Sequence, residues 1–224
     1  MLMYPAEAGF PAGLGPIETE RSSRLQSRAA GGAEAQAMFE ACLAAHASGK
    51  DYDRILEAYR FAKTIEYTHA GLSPAAYLAH PLRVACLAMR AVKPLDVETV
   101  VVALVHNLFE VSGLSIEDMT KSLSRPVANV ISILTVDRRL ASRTDTEAYY
   151  ERLGRAPRPA RIVKILDKLD NLFLLCLNPD DAVRSAYLRD VEAFILPMAA
   201  RDLPELSSYL RFLIDDCRRL GHRG

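Results

Sequence analysis

The chain has 224 residues, of which half are hydrophobic and a quarter charged, as in an ordinary globular protein. Lysine plus arginine equals aspartate plus glutamate at 28 each, and a formal charge of zero argues against a nucleic-acid partner. The longest apolar runs, such as residues 100–105, are too short to cross a membrane. Cys42, Cys86, Cys176 and Cys217 are widely scattered, which predicts free thiols in a reducing compartment and therefore a cytoplasmic protein without a membrane partner.

Residues 1–32 are rich in glycine, proline, alanine and serine and lack sustained periodicity, so they are predicted to form a flexible N-terminal leader. From Ala33 onward helical spacing dominates and strand alternation is nearly absent, which predicts one all-α domain over residues 33–224. The predicted helices cover residues 33–47, 51–67 (capped by Asp51 or Asp53), 81–91, 96–110 (capped by Asp96), a short helix opened by a Ser115–Asp118 capping box, 126–135, 145–153, 159–177, 180–199 and 203–220.

The helix over residues 96–110 is apolar on nearly every side, which predicts that other helices surround it. It carries His106 and Asn107, which point about 100 degrees apart yet can both reach one ion at the helix face. A histidine in such a helix can also be a hydrogen-bonded core residue. Glu110, one turn after His106, is either a base facing the same site or a surface carboxylate at the helix end.

Two other segments carry side chains that can bind a metal. His80 precedes Pro81 at a predicted helix start, where a histidine can instead bond the backbone, and Asp167 lies one turn before Asn171 in an amphipathic helix. With His106 and Asn107 they supply two imidazoles, a carboxylate and an amide oxygen. This set suits Mn²⁺, Fe²⁺ or Zn²⁺ better than Mg²⁺ or Ca²⁺. A metal so bound would lower the pKa of a water and polarise a phosphoryl oxygen.

Three fragments in fixed order resemble the hydrolase domain of the RelA/SpoT homologues, which include the small alarmone hydrolases. They are residues 77–85 (YLAHPLRVA), 105–119 (which begins VHNLFEV) and 163–171 (VKILDKLDN). The resemblance covers roughly residues 52–200 and implies an HD-domain helical bundle. It also implies a Mn²⁺ enzyme that removes the 3′-pyrophosphate from guanosine tetra- or pentaphosphate, a small-molecule nucleotide.

The resemblance implies a role for each of the residues singled out above. His80, His106, Asn107 and Asp167 fall on the metal-ligand positions, Glu110 falls on an acidic catalytic position, and Asn171 and Lys168 are the predicted substrate-binding residues.

The chain also departs from the family pattern. Asn107 replaces a ligand aspartate, Val111 replaces a second acid, and residues 73–75 (SPA) replace an Arg-Lys pair near the substrate. Three hypotheses follow. The chain is a metal-dependent phosphohydrolase of nucleotides or related phosphoesters; or it is a catalytically impaired nucleotide-sensing or regulatory protein; or it is a helical interaction protein in which these polar residues are structural. The sequence does not indicate whether the protein is a monomer or an oligomer.

Overall fold

The computed structural model describes residues 14–27, 32–68, 74–137 and 142–221, and within these ranges every regular element is a helix. This confirms the prediction of an all-α fold. None of the described helices is long and apolar enough to cross a membrane. The α-helices are α1 (Leu14–Ser27), α2 (Gly32–His46), α3 (Gly49–Lys63), α4 (Pro74–Ala91), α5 (Val97–Val105), α6 (Leu108–Val111), α7 (Ile116–Ser122), α8 (Arg125–Leu134), α9 (Arg143–Gly154), α10 (Arg158–Leu175), α11 (Asp181–Asp190), α12 (Leu196–Asp202) and α13 (Pro204–Gly221).

The chain divides into two compact units. The first unit consists of Met1–Ala30 together with Ile165–Gly224, and the second is Gly31–Lys164. The division falls inside α10, which is a single continuous helix. The single domain over residues 33–224 stays a prediction.

Helix α1 lies within residues 1–32, the segment predicted to be a flexible leader. Its Arg21 forms a buried ion pair with Asp216, and its Arg24 forms another with Asp170, at 2.5 Å. Arginines occupy two of the buried positions of α1, where apolar residues would be expected. The segment therefore lacks the apolar periodicity by which a buried helix is predicted from sequence. The leader residues that precede α1 lie outside the described residues.

Helix α5 is the centre of the second unit. Every residue from Thr99 to Val105 is buried, and α3, α4 and α8 pack against the helix. Its N-terminus is capped as predicted, since the Asp96 carboxylate accepts hydrogen bonds from the backbone N–H groups of Glu98 and Thr99. The prediction that other helices surround α5 is therefore confirmed.

Several helix boundaries differ from those predicted. Pro81 lies in the middle of α4 rather than in its first turn, and the helix continues through it. The central helix does not continue to Glu110, because the chain turns at His106 and Asn107 before α6. Between α11 and α12, a π-helix over Val191–Ile195 interrupts what the periodicity predicted as one helix.

The cysteines are free thiols, as their scattered positions predicted. Burial raises the pKa of the Cys176 thiol and raises that of Cys217 to about 11. A raised pKa lowers the fraction of thiolate, which is the reactive form of a cysteine. The cytoplasmic location inferred from the cysteine pattern stays a prediction.

Candidate metal centre

His106 is held at the C-terminal end of α5 by a hydrogen bond to the backbone. Its Nδ1 lies 2.8 Å from the carbonyl oxygen of Ala103, and the side chain is buried. A carbonyl oxygen only accepts, so Nδ1 must carry the proton, and the lone pair is left on Nε2. This is the arrangement in which histidines bind metals, with the second nitrogen held by a backbone carbonyl.

His80 lies on α4, next to His106. The two imidazole rings are 5.2 Å apart between centroids and are inclined at 69°, so one ring presents its edge to the other. Helices α4 and α5 pack against each other over much of their length, which brings the two histidines together although 25 residues separate them in the sequence. The second unit therefore contains both predicted imidazole ligands as neighbours.

Asn107 occupies the turn that separates α5 from α6. Its backbone angles, φ −114° and ψ 11°, are not helical, and it is the N-cap residue of α6 without a capping hydrogen bond. Its Oδ1 atom is buried and has no hydrogen-bond partner among the described residues. A buried acceptor left in this state is costly unless it binds something, and a metal ion is a suitable partner for an amide oxygen.

Asp167 and the two predicted substrate-binding residues lie along α10. The Asp167 carboxylate is buried, and its Oδ1 accepts a hydrogen bond of 2.9 Å from the side-chain amide of Asn171, one turn later. Lys168 places its Nζ 4.3 Å from the centroid of the Tyr187 ring on α11. Asn171 thus contacts a predicted ligand, and the Lys168 ammonium lies over an aromatic ring.

Together, His80, His106 and Asp167 are a group that can hold a metal ion. Their ligand atoms lie within 4.8 Å of one another. Ligand atoms that each lie about 2 Å from one ion are at most about 4 Å apart, so these three would close up slightly around a bound metal. Had the three residues been far apart, no shared ion would be possible and the hypothesis in which they are structural would have been favoured; their closeness leaves a metal site possible. Among the described residues Glu110 is not a member of the group.

Glu110 and Val111, the two residues at the acidic positions of the family pattern, have different surroundings. The Glu110 carboxylate accepts a 3.1 Å hydrogen bond from the backbone N–H of Val136 and lines an open cleft of about 650 Å³. The Val111 side chain is buried, and its carbonyl oxygen accepts hydrogen bonds from the backbone and hydroxyl of Thr68. The chain therefore has an acid at the first position and a buried apolar side chain at the second.

The ion pair between Arg24 and Asp170 was not anticipated from the sequence. Asp170 was visible in the motif of residues 163–171, but its partner lies 146 residues away. An arginine in a segment without apolar periodicity carries no local signal for such a contact. The hydrogen bond between His106 and the Ala103 carbonyl could not be predicted either, because every residue has a backbone carbonyl.

Comparison with known proteins supports the resemblance. The bifunctional (p)ppGpp synthase/hydrolase SpoT of Escherichia coli (strain K12) is 28% identical over 155 residues, which are 66% of this chain and 22% of the relative. The guanosine-3′,5′-bis(diphosphate) 3′-pyrophosphohydrolase MESH1 of Danio rerio is 28% identical over 120 residues, 53% of this chain and 67% of that protein. The chain thus spans about a fifth of the length of the bacterial relative. No protein-family model matches it.

The fold is that of a solved structure of a metazoan ortholog of SpoT, described as hydrolysing ppGpp. The two structures align with a TM-score of 0.62 at 20% sequence identity, over 75% of this chain and 96% of the other. This confirms the predicted HD-domain helical fold. In sequence and in fold, the chain is similar to the SpoT and MESH1 ppGpp hydrolases.

Proposed function

We propose that this protein is a divalent-metal-dependent phosphohydrolase that removes the 3′-pyrophosphate from guanosine 3′,5′-bis(diphosphate) (ppGpp) or a related nucleotide. The observation that carries the proposal is the grouping of His80, His106 and Asp167 within 4.8 Å. Similarity to two ppGpp hydrolases gives the substrate class. The proposed location is the cytoplasm.

In this proposal His80, His106 and Asp167 bind the metal, and Asn107 completes the set through its buried Oδ1. The donors fit Mn²⁺, with Fe²⁺ or Zn²⁺ as alternatives. When bound, the metal supplies a water of lowered pKa and polarises a phosphoryl oxygen. The chain contributes the geometry: the Ala103 carbonyl orients His106, and the Asn171 amide orients Asp167.

Glu110 would take the proton of the attacking water. This residue lies one turn after His106, and its carboxylate lines a cleft whose lining includes none of the predicted metal ligands, so the carboxylate would have to turn toward them. Lys168 is a cation on the same helix as Asp167 and can pair with a phosphate group if its ammonium leaves the Tyr187 ring. Asn171 is the second proposed substrate-binding residue, and it also holds the Asp167 carboxylate.

The test combines metal analysis with an assay of pyrophosphate release from ppGpp in the presence of Mn²⁺. We expect the purified protein to bind about one divalent ion and to turn over ppGpp. Asp167→Ala should lose both properties, with turnover reduced at least about 100-fold. Asp215→Ala removes an exposed carboxylate of α13 and serves as the matched control. Absence of both metal and turnover on a broad nucleotide panel would overturn the proposal.

A second candidate function is a nucleotide-sensing or regulatory protein with an impaired site. It is favoured by Asn107 and Val111, which replace two acids of the family pattern. The double variant Asn107→Asp/Val111→Asp discriminates between the candidates. A large gain of hydrolysis from an inactive parent supports the second candidate, whereas an active parent excludes it.

A further inference from the structure

Two arginines of α1 enter the interior of the first unit and pair with acids on two different helices. Arg24 Nη1 lies 2.5 Å from Asp170 Oδ1 on α10, and its guanidinium lies 5.4 Å from the centroid of the Phe173 ring. Arg21 pairs with Asp216 on α13 and lies 3.1 Å from Glu18. Asp170 and Asp216 are each only 1% exposed, so removing the paired arginine would take a charged partner from a buried carboxylate in each case.

Asp170 lies three residues after Asp167, and Asn171 lies four residues after it. Residues at these spacings are neighbours on one face of a helix. The Asn171 amide bonds Asp167, and the Arg24 guanidinium bonds Asp170 in the same turn of α10. The contact from α1 is therefore made within one turn of the predicted metal ligand.

A charged hydrogen bond between buried groups is directional and stronger than one between neutral groups. The pair with Arg24 therefore restricts rotation of α10 at this turn. Rotation of the helix would displace the Asp167 carboxylate, because a side chain on a rigid helix moves with its backbone. Groups outside the ligand set influence metal affinity in this way, by orienting the ligands.

We propose that Arg24 is a positioning residue for Asp167 and that α1 acts on the metal centre through the Arg24–Asp170 ion pair. This inference rests on the proposed function in one respect, the role of Asp167 as a ligand. It assigns to the N-terminal helix a part in metal binding although α1 carries none of the predicted ligands.

The test compares Arg24→Met with Arg21→Met. Each variant removes one buried ion pair of α1, but the partner of Arg24 is on the helix that carries Asp167, whereas α13 carries no predicted ligand. We expect both variants to melt at lower temperature than the parent. Only Arg24→Met should lower the Mn²⁺ affinity, by about tenfold or more, in calorimetric titration well below the melting temperature. Equal losses of affinity in both variants, or none in Arg24→Met, would overturn the proposal.

Arg24→Lys and Arg21→Lys keep the charges and extend the test if a methionine variant does not fold. Arg24→Lys should lose less affinity than Arg24→Met, and Arg21→Lys should lose none. A crystal structure of metal-free Arg24→Met should show the Asp167 carboxylate moved away from His80 and His106, beyond the 4.8 Å that holds in the parent. That readout needs no metal. A parent that binds no Mn²⁺, with the carboxylate displaced only in the Arg24 variant, would refute the proposed function and leave the positioning role standing. An undisplaced Asp167 carboxylate in Arg24→Met would refute the positioning role.

Discussion

The segments that carry His106 and Asp167 hold their predicted ligands by different means. His106 follows an apolar, fully buried helix and is oriented by a backbone carbonyl at the turn between α5 and α6. Asp167 lies inside the continuous helix α10, where the Asn171 side chain orients it. A substitution cannot remove the Ala103 carbonyl that orients His106, whereas it can remove the Asn171 amide that orients Asp167. The His106 segment should therefore be sensitive to core packing, and the Asp167 segment to the loss of single polar groups.

The largest expected effect is on the packing that places His106. Leu104→Ala leaves a cavity beside a fully buried helix and should lower the free energy of unfolding by about 2–5 kcal/mol. Chemical denaturation of the metal-free protein measures it. Leu177→Ala is the matched control, because Leu177 is 44% exposed, and it should change stability by less than about 0.5 kcal/mol. Similar losses of stability in the two variants would mean that packing around Leu104 contributes no more to stability than an exposed leucine does.

A smaller effect is expected where a side chain orients the ligand. Asn171→Ala removes the hydrogen bond to Asp167 and should weaken Mn²⁺ binding about 10- to 100-fold, equivalent to about 1.4–2.7 kcal/mol, with little change in stability because Asn171 is exposed. Calorimetric titration is the measurement, and Asn129→Ala on the exposed face of α8 is the control. Unchanged affinity in Asn171→Ala would contradict the orienting role.

Asn107 sharpens the comparison because its buried Oδ1 has no hydrogen-bond partner within the part of the chain that the structure describes. In Asn107→Asp the carboxylate gains a charge that attracts the metal, so the Mn²⁺ affinity should rise about tenfold. Without metal the same charge is buried, and stability should fall by about 1 kcal/mol or more. Titration and denaturation with and without Mn²⁺ measure the two effects. If Asn107→Asp changed the free energy of unfolding equally with and without Mn²⁺, Asn107 would not face the metal.

The smallest effect is expected at the start of α5, far from its ligand end. Asp96→Ala removes the capping acceptor for two backbone N–H groups and should cost about 1 kcal/mol of stability. The Mn²⁺ affinity should stay unchanged in this variant. Asp96→Ser retains a capping oxygen and should recover most of the loss. A drop in metal affinity in Asp96→Ala would indicate that the position of His106 depends on the whole helix rather than on its last turn.

Much of the helical layout follows from local chemistry. Asp96 and Ser115 cap the helices that they were predicted to cap, because a cap needs only a short side chain and nearby N–H groups. Pro81 was misjudged because a proline suits a first turn but does not exclude a helix interior. The turn at His106 was missed because apolar periodicity continues through it.

The sequence by itself determined the all-α class, the central buried helix and the residues able to bind a metal, since periodicity, capping and side-chain donors are local properties. Only the tertiary structure decided that α1 is part of the fold. It also decided that Arg24 reaches Asp170, that His106 is held by a carbonyl and that His80, His106 and Asp167 form one group. These contacts join residues far apart in the chain, or involve backbone atoms that every residue has, so no local pattern encodes them.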